Sequence, residues 1–235
     1  MSGKRSSIIN WNNIQKYSEE FQNKNPKWAF VEEVFDRNFY EGLYNTYPKL
    51  DNTWSKKDSF DKNGYIKNWN NQKNDEVVIN TPDKTLGEYW NTFYDYLFSD
   101  EFINNMKIFS NVNISHVKYF SFGLLNRGGF QLPHIHNVGP NTLILMMYFS
   151  KDWVKNDPGG TYVSTTEDLS SLVFEPYNLD NSMMIFHDGP NSGHGVRPIK
   201  KDVERKAIQV YLEEYTEQNG WSGDKDHDES TLVEL

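Results

Sequence analysis

The chain has no cysteine among its 235 residues. That excludes a disulfide framework, a zinc ribbon, a thiolate-held cluster and any Cys nucleophile. Long apolar runs are missing as well: the longest, Leu143 to Phe149, falls far short of the ~20 residues with which a helix spans a bilayer. The start, Met1 to Trp11, is polar and lacks the apolar stretch of a secretory signal. Together these absences predict a cytoplasmic protein with no membrane partner. Basic charge is in deficit, 24 Lys and Arg against 33 Asp and Glu for a net charge of −9, so a nucleic-acid partner is not expected. No repeat and no Pro-, Ser- or Gly-rich linker interrupts the chain, which predicts one domain over residues 1–235.

Aromatic residues are plentiful: seven Trp, 14 Tyr and 15 Phe. They supply enough buried area per residue for a sizeable core although only 37% of the chain is hydrophobic. Residues 1–26 are polar and read as a loosely packed arm. Trp28 to Phe35 reads as a strand, and Asp36 is placed to cap a helix carrying Phe39, Tyr40, Leu43 and Tyr44 on one face. Asp51 to Asn80, rich in Asn, Lys, Asp and Trp without a clean period, reads as a long excursion: either a candidate lid, with Trp54 and Trp69 available to a substrate, or a loop that packs over the sheet. Leu86, Tyr89, Trp90, Phe93, Tyr96 and Leu97 follow helical spacing after Pro82 and Asp83.

From residue 114 the pattern changes to short β-type runs between turn residues. They are Ser115 to Leu125, Phe130 to His136, Thr142 to Phe149, Thr161 to Ser164, Leu172 to Glu175, Met183 to His187, His194 to Ile199 and Lys206 to Glu213. This pattern predicts a mainly β fold with bracing helices (α+β): a double-stranded β-helix, or jelly-roll, cupin-like core over 114–215. Residues 1–113 supply an arm, helices and a lid, and 216–235 an acidic tail.

His134 and His136 are separated by one residue on a predicted strand, so both rings point to one face, as two ligands of one metal require. His194 opens another predicted strand that the jelly roll can bring opposite them. Three imidazoles can then hold one metal and leave positions open for other ligands. The competing reading is a set of unrelated core and surface histidines; Arg205 and the missing cysteines favour the metal.

At these residues the chain resembles the iron(II)/2-oxoglutarate-dependent oxygenases, most closely the prolyl 4-hydroxylase-like branch. The resemblance rests on His134-Ile135-His136-Asn137, Tyr148-Phe149-Ser150-Lys151-Asp152-Trp153, Gly159-Gly160, His194-Gly195-Val196-Arg197-Pro198 and the run from Arg205 to Tyr211. It covers about ninety residues, Gly123 to Tyr215, in the family's order and separations. It implies that His134 and His194 bind Fe(II), that Arg205 pairs with the distal carboxylate of 2-oxoglutarate, and that the Tyr148 hydroxyl helps hold the same group. Dioxygen is the implied co-reactant and ascorbate an auxiliary reductant. The implied reaction is hydroxylation of a C–H bond in a small molecule or peptide, with release of succinate and carbon dioxide.

One departure matters. Where the family pattern has aspartate, this chain has His136, so a site that would carry a carboxylate carries three neutral imidazoles and one more unit of positive charge. Asp188 is the nearest carboxylate that could substitute. Asn137, Asn141, Arg197 and Tyr211 occupy positions that could face the pocket mouth and bind substrate. Two alternatives stand beside the oxygenase: a cupin-like metal- or ligand-binding protein, and a three-histidine dioxygenase that does not use 2-oxoglutarate. Substrate and oligomeric state are not legible.

Overall fold

A computed structural model describes residues 8–72, 78–136, 142–187, 189, 191–216 and 220–221. Among them the elements run α1 (Trp11–Gln15), α2 (Ser18–Asn23), β1 (Trp28–Glu32), α3 (Arg37–Asn45), β2 (Ser55–Asp58), β3 (Lys62–Asn68), α4 (Glu88–Leu97), α5 (Asp100–Ser110) and β4 (His116–Leu125). They continue with β5 (Phe130–His134), β6 (Thr142–Phe149), β7 (Thr161–Ser164), β8 (Leu172–Phe174), β9 (Asp180–Phe186), β10 (Gly193–Val196) and β11 (Arg205–Glu213). Every strand pair of the main sheet is antiparallel, in the order β1-β9-β6-β11-β4-β3-β5-β10-β7-β8, with β2 on β3. The sheet curls so that Val163 of β7 packs against Ile144, Met184 and Ala207 of the opposite half. Trp28 stacks on Phe174 at 4.3 Å and joins the two ends of the path. This is the jelly-roll double-stranded β-helix that the sequence predicts.

Alternation along the central strands separates two environments. In β6, Leu143, Leu145, Met147 and Phe149 face the helices, whereas Ile144 and Tyr148 face the inside of the roll. In β11, Ile208, Val210 and Leu212 join the helix-covered core, while Arg205, Ala207, Gln209 and Tyr211 line a cavity. The helices cover one face only. Trp90 of α4 meets Phe122 at 4.8 Å and Phe149 at 5.3 Å, and Trp69 stacks on Tyr94 at 3.9 Å. Asp36 caps α3 as expected, its carboxylate accepting from the amides of Asn38 and Phe39.

Three expectations need correction. Of the first 26 residues, those described are not loosely packed: Ile9, Ile14 and Phe21 are fully buried, and Phe21 meets Phe109 of α5 at 4.9 Å. The excursion over Asp51 to Asn80 contains β2 and β3, and β3 is inserted between β4 and β5. Its tryptophans serve the core, since Trp69 is buried under α4 and Trp54 is buried with its indole donating to the Lys49 carbonyl. Finally, α4 starts at Glu88, not after Asp83, because the Asp83 carboxylate accepts from Thr85 and Asn70 and closes a turn of its own. No helix among the described residues is long and apolar enough to cross a membrane. Nearly all of the predicted tail over 216–235 lies outside the described residues.

Candidate metal centre and diacid pocket

Strands β5 and β10 pair so that His134 and His194 lie directly opposite each other. Their rings are 4.2 Å apart, and His136 brings a third ring to 4.9 Å from His134 and 5.2 Å from His194. One ligand nitrogen from each lies within 4.8 Å of the others. Two nitrogens that each sit ~2.1 Å from one ion are at most about 4.2 Å apart, so a small side-chain rotation suffices to close on a metal. His136 reaches this position differently from the sequence expectation: β5 ends at His134, and the amide of Ile135 donates to Glu167 instead of continuing the ladder.

The protonation of two rings follows from their partners. His134 Nδ1 lies 3.0 Å from the Leu132 carbonyl, and His194 Nδ1 lies 3.4 Å from the Ser192 carbonyl. A carbonyl only accepts, so each Nδ1 carries the proton and each Nε2 keeps a lone pair. Burial holds His194 well below the ordinary imidazole pKa, helped by His134 and His136; burial likewise lowers His134, against the Leu132 carbonyl. Both rings are therefore held in the neutral form, the form in which an imidazole can bind a metal. At His134 that lone pair takes the amide of Gln131 at 3.2 Å, which a metal would displace.

The cavity beside the three rings has a volume of about 600 Å³. Arg205, at the head of β11, is 3% exposed and lines it. Its guanidinium donates to the Gly159 carbonyl at 3.1 Å and to Thr161 Oγ1 at 2.8 Å, and lies 5.1 Å from the Tyr148 ring centre. Among the described residues no carboxylate forms an ion pair with it. A buried cation held only by neutral groups is costly unless an anion joins it. Gly159 is needed at its place because a Cβ there would come within 2.4 Å of the Trp153 ring.

The remaining predicted residues divide. Tyr211 lines the cavity. Tyr148 is fully buried behind Arg205 and is not part of the cavity wall; its hydroxyl accepts from the Thr161 amide at 2.9 Å, so Thr161 presents the surface expected of Tyr148. Arg197 corrects an expectation, since it turns from the cavity to pair with Glu175, Nε to Oε2 at 2.8 Å. Asn137, Asn141 and Asp188 lie outside the described residues. Lys62 on β3 lines the cavity and escaped the sequence reading because its segment reads as a loop; burial, then Lys57 and Arg205, push its pKa down to about 8.

No protein-family model matches the chain, and no curated protein does. Solved structures do. A prolyl-4-hydroxylase from Pseudomonas putida superposes with a TM-score of 0.65 at 11% identity, covering 86% of this chain and 100% of that one. This chain has the fold of the 2OG-Fe(II) oxygenases. A prolyl hydroxylase from Trichoplax adhaerens, in complex with a hypoxia inducible factor peptide fragment, gives 0.57 at 13% identity over 86% of this chain and 90% of that one. HygX from Streptomyces hygroscopicus, with nickel, 2-oxoglutarate and hygromycin B bound, gives 0.55 at 10% identity over 91% and 96%. At such identities the likeness establishes the oxygenase fold, and the chemistry has to be argued from the side chains.

Proposed function

We propose that the chain is a non-haem Fe(II)- and 2-oxoglutarate-dependent oxygenase that hydroxylates a C–H bond of a small molecule or peptide. One observation carries this reading: three convergent imidazoles and a buried guanidinium, held among the described residues by neutral groups alone, share one cavity. The donor set suits a divalent first-row ion, and the guanidinium suits the far carboxylate of a diacid bound to that ion. His134, His136 and His194 would hold the iron. Arg205 and Thr161 would hold 2-oxoglutarate, with Tyr148 fixing both from behind.

Bound iron and 2-oxoglutarate supply the oxidising chemistry with dioxygen, succinate and carbon dioxide being the co-products and ascorbate an auxiliary reductant. The chain's own part is placement. The Leu132 and Ser192 carbonyls fix two ring tautomers so that lone pairs face the ion. Arg205 would hold the far carboxylate of the diacid, and Phe186, which packs on the His194 ring at 4.8 Å, gives the cavity an apolar wall beside the histidines.

Among the described residues the candidate ligand cluster is made of three histidines, and this favours a second reading, a dioxygenase that binds substrate directly to iron. Anaerobic titration of the Fe(II) protein with 2-oxoglutarate separates the two. The proposal expects a visible metal-to-ligand charge-transfer band that Arg205→Ala weakens; no band in an iron-loaded sample favours the second reading. For the metal, His136→Ala is expected to lower iron affinity and His136→Asp to restore it. Unchanged iron content in the alanine variant would remove His136 from the ligand set.

A further inference from the structure

The cavity carries more positive charge than a metal and a diacid can use. Among the described residues its walls hold Lys57, Lys62, Lys118 and Arg205 against one acidic residue, Asp61. Lys118 is neutralised by Glu213, Nζ to Oε2 at 3.1 Å. A divalent ion and a dianionic 2-oxoglutarate cancel each other, and three neutral imidazoles contribute nothing. What is left is Lys57, Lys62 and Arg205 against Asp61, inside a protein whose overall charge is −9. A local field of this sign in an acidic protein selects an anion.

The position of the two lysines is fixed by the ladders. Lys62 pairs with Gln131, so the two side chains share a face, and Gln131 touches His134. That puts Lys62 at the histidine end of the cavity. Lys57 pairs with Gly64, against which the Leu125 side chain packs, and lines the cavity from β2. Arg205 approaches from β11, where its guanidinium is held by Gly159 and Thr161. Tyr65 and Tyr211 add aromatic surface to the walls.

We propose that the primary substrate is an acid, and that Lys62 with Lys57 seats its carboxylate or phosphate beside the three-histidine centre while Arg205 keeps the cosubstrate. The inference rests on the 2-oxoglutarate reading above and adds a substrate class to it. Lys62 and Lys57 act as specificity-determining residues. They hold the anionic group of the substrate and leave the rest of the molecule to lie across the tyrosines.

The test is calorimetric and needs no turnover. Protein loaded with Mn(II) and 2-oxoglutarate under anaerobic conditions is titrated with inorganic phosphate and, in parallel, with acetate at matched ionic strength. The wild type is expected to bind at least one of the two oxyanions, and which one binds tells phosphate from carboxylate. Lys62→Met and the exposed-site variant Lys57→Met are each expected to weaken that binding, Lys62→Met by about tenfold, with 2-oxoglutarate affinity unchanged. Three results overturn the proposal: neither oxyanion binds the loaded protein, both variants bind like wild type, or Lys62→Met loses 2-oxoglutarate as Arg205→Ala does. If 2-oxoglutarate itself fails to bind, the same titration on the Mn(II) protein decides separately. Lysine-dependent oxyanion binding there keeps the acidic substrate and discards the cosubstrate reading.

Discussion

The two faces of β11 differ more than any two segments of the chain. On one face Ile208, Val210 and Leu212 sit under helices α4 and α5 in an aromatic-rich core, where even the polar tips are satisfied, as when the Trp90 indole donates to the Thr46 carbonyl at 3.0 Å. On the other, Arg205 and Gln209 open on a cavity, and among the described residues only neutral groups hold the buried guanidinium. The same backbone thus serves stability on one side and recognition on the other. Residues that weaken the fold by being there are the ones to examine for function.

The comparison can be broken most severely on the helix side. Trp90→Ala removes a fully buried ring that touches Phe122 and Phe149 and is expected to cost about 4 kcal/mol in denaturant unfolding. On the cavity side Arg205→Ala is expected to change the stability of the metal-free protein by under about 1 kcal/mol, because the lost hydrogen bonds are offset by relief of an unpaired charge. Its affinity for 2-oxoglutarate should fall by about a hundredfold, measured by calorimetry with Mn(II) bound. Equal losses of stability and affinity would erase the distinction between the faces.

Gly159→Ala joins the two sides. The added methyl would collide with Trp153, and the Gly159 carbonyl holds Arg205, so we expect a loss of about 2 kcal/mol in stability together with weaker 2-oxoglutarate binding. The smallest effect is predicted for Asp36→Ala. Loss of the α3 cap should cost about 1 kcal/mol and leave ligand affinity unchanged.

The sequence was most readable where one physical rule acted alone. Thr142–Phe149 and Thr161–Ser164 are strands with the expected bounds, because apolar runs between turn residues leave little choice. Helix α5, capped by Ser99 and burying Phe102, Met106 and Phe109, follows α4 after only Phe98 and Ser99, so its stripe is hard to separate from that of α4 in the sequence. Strand β3 was unreadable for a better reason. Lys62 faces the cavity, and Lys67 is buried with its ammonium donating to Thr53 Oγ1 at 2.7 Å, so polar residues fill positions inside and β3 lacks the alternation that marks a half-buried strand. Lys62 was hidden with it. The three histidines were legible from spacing and Arg205 from the family resemblance, but the orientation of Tyr148 and Arg197 depends on Thr161 and Glu175, partners distant in sequence that no local pattern reveals.

The most direct measurement is a crystal structure of the protein soaked anaerobically with Mn(II) and 2-oxoglutarate. The expected result is one ion ligated by nitrogens of His134, His136 and His194, with the diacid's far carboxylate paired to Arg205. An ion bound elsewhere, or a diacid missing from the Arg205 end of a metal-filled cavity, would contradict it.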